Sequence, residues 1–203
     1  MDKGRLEAFS DGVLAILITI MVLDLRTPAG PSLSALRPLG VVFLSYLLSF
    51  AYLAIYWNNH HHMLQTCVEV DGAMLWANMH LLFWLSLVPW ATSWLGASRF
   101  APVPTAVYGA VLLMAAIAYL LLQRTIIAAQ GPHSLLKKAV GDDWKGKVSP
   151  LLYLAAIALA FAAPRLSAAL YALVAALWLA PDPRIENALR ERRGQRAAAR
   201  RDA

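Results

Sequence analysis

Arg5-Leu-Glu-Ala-Phe-Ser-Asp-Gly-Val-Leu-Ala-Ile-Leu-Ile-Thr-Ile-Met-Val-Leu-Asp24 is the stretch on which the fold of this chain turns. Between Gly12 and Asp24 it is apolar except for Thr19, yet its first turns carry Arg5, Glu7, Ser10 and Asp11. A helix of about 20 such residues crosses a bilayer core. Ionisable groups at the edge of a membrane helix are costly and are read by default as functional, with a partner elsewhere. The stretch therefore predicts a membrane helix gripped near one end by polar contacts.

The rest of the chain agrees with a bilayer setting. Its 203 residues are 60% hydrophobic and 15% charged, with a mean hydropathy of +0.56. That balance excludes an ordinary soluble domain and fits an all-α polytopic membrane protein. The single cysteine, Cys67, rules out an intrachain disulfide and says nothing of redox compartment. Lys3, Arg5 and the following apolar run resemble a secretory leader, but Asp11, Asp24 and the later apolar segments argue against cleavage.

Six apolar segments can be counted, at about 6–25, 39–57, 73–95, 104–127, 149–163 and 166–180. Only Pro164 and Arg165 part the last two, and the proline favours a tight hairpin over one broken helix. With six spans, one side collects Lys3, Arg5, Arg124, Lys137, Lys138, Lys145, Lys147 and the arginines after Pro183; the other has Arg26, Arg37, Arg99 and Arg165. The positive-inside rule then makes both termini cytoplasmic. Residues 1–182 form the expected transmembrane domain and 183–203 a basic cytoplasmic tail, either solvated or lying on anionic headgroups. Residues 27–38 read as a turn-rich connection and 131–148 as a solvated loop. Nothing in the chain supports nucleic-acid binding.

At 100° per residue, Gly12, Ile16, Thr19, Ile20 and Leu23 share one stripe of the first helix. Glu7, Asp11, Leu14, Ile18 and Val22 lie opposite, so this back face is expected to be buried with Asp11 paired inside the protein. Alone, the stripe is equally a surface for other helices, for lipid or for a symmetry axis. Partners for Asp11 are expected from Trp57, a histidine of His60, His61 and His62, or Asn78, because a charge-assisted bond is strong in a low dielectric. Three consecutive histidines diverge by 100° each on a helix and cannot converge on one ion as an i, i+4 pair can. A polar network is therefore expected there rather than a metal site.

Arg5, Phe9, Ser10 and Asp11 form an R-x-x-x-F-S-D motif, followed by Gly12-Val13, Ala15-Ile16, Thr19 and Leu23-Asp24. This resembles the transmembrane protein 175 family of potassium channels, found in endosomes and lysosomes and, as half-size versions, in prokaryotes. The likeness extends through Ser49-Phe50, Trp57, His60-His61, Asn78, Leu82 and Pro89, and thins in the last three segments. The resemblance implies a six-helix subunit of a homotetramer in the prokaryotic plasma membrane, since the motif occurs once here and twice in vertebrate members. It implies a pore lined by the first helix, weakly selective for potassium over sodium. Ile16, Ile20 and Leu23 would be hydrophobic constrictions and Thr19 a hydroxyl layer beside them. Arg5, Phe9, Ser10, Asp11, Trp57, His60, His61 and Asn78 would make the structural network that holds the pore helix. No cofactor beyond the permeant potassium ion is implied.

Two other classes compete. A secondary transporter would show matching broken helices in two halves, and no such repeat is visible. A metal-dependent membrane protein would use His60–His62 with Glu69 or Asp71. Nucleophile patterns and glycine-rich phosphate loops are missing, so an enzyme is not expected.

Overall fold

The structure is a computed structural model that describes residues 2–67, 69–131, 134–141 and 143–179. Its first helix, α1 (Lys3–Ile20), starts where the Asp2 side chain accepts from the Gly4 amide, and it tightens into a 3-10 turn at Met21–Asp24. A second 3-10 segment (Leu33–Leu39) leads into α2 (Gly40–Gln65). Then come α3 (Gly72–Ser86), α4 (Val88–Ala97), α5 (Pro102–Gln130), the short α6 (Leu135–Val140), α7 (Trp144–Leu159) and α8 (Pro164–Leu179). Each expected apolar segment is largely helical, but the fifth leaves the helix after Leu159, so the break falls at 160–163 and Pro164 and Arg165 begin the last helix. Four stretches, Lys3–Asp24, Leu33–Gln65, Gly72–Ala97 and Pro102–Gln130, are long and apolar enough to cross a membrane, and Pro164–Leu179 is a shorter apolar helix.

Where boundaries differ from expectation, the backbone explains why. The helix α2 runs eight residues past the end of its apolar segment, carrying Asn58 to Gln65 with it. Apolarity marks what the bilayer touches, not where hydrogen bonding stops, and Thr66 ends the helix by turning its hydroxyl onto the Met63 carbonyl. The third segment breaks at Leu87 because Pro89, lacking an N–H, fits only the first turn of a new helix. Residues 27–38, expected as turns, include the start of the 3-10 segment. Residues 131–148 are not simply a solvated loop. Leu136 and Ala139 of α6 are buried, and Asp143 caps α7 while accepting from Gln123 Nε2 at 3.0 Å. The tail at 183–203 lies outside the described residues.

The helix α5 occupies the middle of the helical bundle. Tyr108, Leu112, Ala115, Ala118, Leu122 and Ile126 are fully buried along it, and it packs most extensively on α3 and α7. The last two helices form the expected hairpin: Ser167 Oγ donates to the Ala156 carbonyl (2.7 Å) and Trp178 Nε1 to Ser149 Oγ (2.8 Å). Hydroxyls stitch the bundle elsewhere. Thr92 Oγ1 lies 2.6 Å and Tyr108 Oη 2.9 Å from Ser49 Oγ, Tyr52 Oη donates to the Tyr171 carbonyl (2.6 Å), and Tyr171 Oη to that of Thr105 (3.1 Å). Such bonds average about 0.6 kcal/mol each between membrane helices.

Close approach depends on one glycine above all. A Cβ on Gly109 would fall onto the Tyr171 hydroxyl and lie 2.8 Å from Ile157 Cγ1. Small residues allow membrane helices to touch in this way. Gly109→Ala is expected to cost about 1–3 kcal/mol by overpacking, read as a lowered thermal unfolding midpoint in detergent. An unchanged midpoint would show that α5, α7 and α8 do not meet this tightly.

Candidate functional site

The face of α1 and its 3-10 extension that packs on the rest of the chain is the line Leu6, Ser10, Leu14, Leu17 and Met21, all buried. Gly12, Ile16, Thr19, Ile20 and Leu23 look outward, with Ile16 61% and Leu23 79% exposed in the single chain. The expected back face is therefore rotated. Of its members only Leu14 is buried; Glu7, Asp11 and Ile18 are half-buried, and Val22 is exposed. From Gly12 onward the helix is apolar on nearly every side, so composition offers no contrast from which to read the packed face.

One residue of each of three helices meets in the first clasp. Asn78 Nδ2 of α3 donates to Ser10 Oγ of α1 at 3.0 Å, and its Oδ1 lies 2.7 Å from His60 Nε2 of α2. All three are buried. With the Asn78 amide oriented by Ser10, its oxygen accepts from His60, which assigns the proton to Nε2. Polar groups enclosed this way must be satisfied, because an unpaired one costs about 1–3 kcal/mol.

A second clasp closes at the rim. Trp57 Nε1 donates to Asp11 Oδ1 at 3.0 Å, and the Trp57 ring stacks on His61 with centroids 5.8 Å apart. His61 Nε2 lies 2.7 Å from Gln65 Nε2, and the Gln65 carbonyl accepts from Lys3 Nζ at 3.2 Å. Lys3 also reaches Glu7 Oε1 at 3.4 Å, so the two carboxylates of α1 have separate partners. Sequence reasoning missed Lys3 and Gln65. The i, i+4 spacing of Lys3 and Glu7 was the available signal.

Asp11 thus sits at the half-buried edge, and Ser10 takes the enclosed position. The single chain brings neither Arg5 nor Phe9 into the clasps; both are exposed. Their spacing explains this: Arg5, Phe9, Gly12, Ile16 and Leu23 continue one stripe at intervals of three, four and seven. The three histidines diverge, His60 toward Asn78 and His61 toward Gln65, while the His62 ring meets His61 edge-on. Among the described residues no three His, Cys, Asp or Glu side chains gather where they could hold a metal.

Residues 5–89 match the family described as endosomal/lysosomal potassium channel TMEM175. A potassium channel of Chryseobacterium sp. (strain P1-3) is 54% identical over 191 residues, covering 94% of this chain and 100% of that protein. This chain belongs to the TMEM175 family. Its fold also matches the crystal structure of a lysosomal potassium-selective channel TMEM175 homolog from Chamaesiphon minutus. The TM-score is 0.73 at 31% identity, over 89% of this chain and 97% of that one. The human endosomal/lysosomal proton channel TMEM175 is 35% identical over 86 residues, 36% of this chain and 17% of the human one. The TMEM175 match from 5 to 89 takes in nearly all of α1, all of α2 and α3, and every clasp residue but Lys3.

In this TMEM175 chain the two clasps are expected to differ in weight. Asn78→Ala strands Ser10 and His60 and should cost about 1–3 kcal/mol. Asp11→Asn, at a partly solvated edge, should cost less than about 1 kcal/mol. Detergent unfolding midpoints of the two variants give the ranking, and a larger loss for Asp11→Asn would reverse the assignment of the inner clasp.

Proposed function

We propose that four copies of this chain surround a central pore lined by α1 and form a channel passing potassium in weak preference to sodium. Each subunit then crosses the prokaryotic plasma membrane six times, with α7 and α8 as the last two spans and both termini in the cytoplasm. The observation that carries this reading is the outward aliphatic face of α1, Ile16, Ile20 and Leu23, on a helix whose other face is buried and clasped. The bacterial relatives are potassium channels by name and 54% and 33% identical to this chain. The R-x-x-x-F-S-D motif contributes Ser10 and Asp11 to holding the helix. Arg5 and Phe9 fall on the open stripe, so in the assembly their partners come from neighbouring copies.

Rings of aliphatic side chains gate by dewetting: a narrow ring stays dry and shut, and a widened one hydrates and conducts. Thr19 supplies the polar layer. Its Oγ1 lies 3.0 Å from both the Ala15 and Ile16 carbonyls, so its proton is spent on the helix and its lone pairs are left for a cation. No Thr-Val-Gly-Tyr-Gly loop occurs in the chain, so a carbonyl filter is not the source of selectivity. Hydroxyl oxygens and pore width give a weaker preference.

Potassium flux into vesicles holding the purified protein tests the reading, and absence of flux would remove it. Because the vertebrate relatives are proton channels by name, proton gradients are run beside potassium and sodium ones. Ile16→Asn wets the constriction and should raise resting flux about tenfold, equivalent to roughly 1.4 kcal/mol of barrier; unchanged flux would exclude Ile16 from the gate. Thr19→Val should move the potassium–sodium reversal potential toward non-selectivity, and an identical potential would discard the hydroxyl layer.

A further inference from the structure

Away from α1, a cavity of about 40 Å³ lies where α2, α5, α7 and α8 meet. One water needs roughly 10–15 Å³ of such space, so the occupant has about three or four heavy atoms. Tyr56, Tyr119, Tyr153 and Trp178 wall it with aromatic rings, and Ile55 and Ala116 add aliphatic surface. No lining side chain is a carboxylate, a lysine or an arginine. Lys145 Nζ sits 6.0 Å from the centroid of the Trp178 ring, but Lys145 does not line the cavity; a charged guest would lose its hydration with no charged side chain in the wall, so the guest is neutral.

The lining nevertheless offers polar handles. Asn59 Nδ2 donates to the Ile55 carbonyl at 2.8 Å, which leaves the amide oxygen of Asn59 available. Among the described residues Tyr56 makes an edge-on ring contact with Tyr119 at 6.1 Å and no hydrogen bond, which leaves its hydroxyl available as well. Ser149 is engaged on both sides, accepting from Trp178 and donating to the Lys145 carbonyl. One donor and one acceptor beside aromatic walls suit a molecule with a short apolar body and one hydroxyl.

The position of the cavity gives its occupancy a consequence. Tyr56 and Asn59 line it, while the residue after each, Trp57 and His60, points about 100° around α2 to the two clasps on α1. We propose that the cavity binds a short neutral alcohol and that binding shifts this turn of α2 and, through it, the pore helix. The shift in conduction rests on the channel reading above; the binding site does not.

Crystals of the full chain soaked in 2-bromoethanol, read by bromine anomalous scattering, locate the guest directly. A bromine peak between Tyr56, Tyr119 and Trp178 is expected in the wild type, weaker in Tyr56→Phe, and absent in Ala116→Leu, which fills the cavity. Water alone in the wild-type cavity, or equal peaks in the wild type and the folded variants, would overturn the site. In vesicles, 1-propanol should change wild-type potassium flux about fivefold, the low end of ordinary coupling between sites. The same change in Ala116→Leu would be an effect on the bilayer and would overturn the coupling. A bromine peak with no potassium flux under any condition would keep the site and defeat the channel reading instead.

Discussion

Asn78 is the side chain on which the arrangement of the first three helices depends. Its amide gives a proton to α1 and takes one from α2, so a single planar group fixes the spacing of both neighbours. Apolar packing cannot do this alone in a bilayer, where lipid tails are as good a solvent for leucine as another helix is. A satisfied polar bridge has few alternative geometries, and its three members, Ser10, His60 and Asn78, are all buried, which keeps water from replacing it. Among the described residues the outward face of α1 has no such device.

The bundle divides into two mechanical parts. The first, α1 to α3, is held by amide, imidazole and indole groups near one end. The second, α5 with α7 and α8, is held by the Ser167 and Tyr171 hydroxyls, which donate to backbone carbonyls, and by the Trp178 indole on Ser149, with Tyr52 of α2 tied to it through the Tyr171 carbonyl. The helix α5 belongs to both, since it packs on α3 as well as on α7. The family match stops at residue 89, before the second part begins. The likeness to relatives over almost the full chain shows that the second part nevertheless accompanies the first in bacterial members.

Much of this was legible in the residues, for reasons that can be named. Each apolar segment predicted a helix because length and hydropathy are what a bilayer selects. Ser10, Trp57, His60 and Asn78 stood out because polar groups inside apolar runs need partners, although which pairs with which depends on helix rotation. That rotation was illegible: with apolar residues all round, nothing distinguished Leu17 and Met21, which pack, from Ile18 and Val22, which are more exposed. The apolar segment ends at residue 57 because hydropathy falls there, while backbone hydrogen bonding carries α2 on through the histidines to Gln65. The contribution of Lys3 was hidden for a related reason, since its acceptor is a main-chain carbonyl and leaves no mark in the sequence.

The central place of α5 bears on how the chain is made. Ribosomes release helices in order, and α1 to α4 emerge before residue 102 begins the segment that α3 is built to lean on. Until α5 arrives, the Asn78 clasp already has its partners Ser10 and His60, but α3 lacks the helix it packs on most. Translation through residues 102–130 is therefore the moment at which loosely inserted spans consolidate. A polypeptide truncated ahead of that point would leave those spans as candidates for quality-control proteolysis.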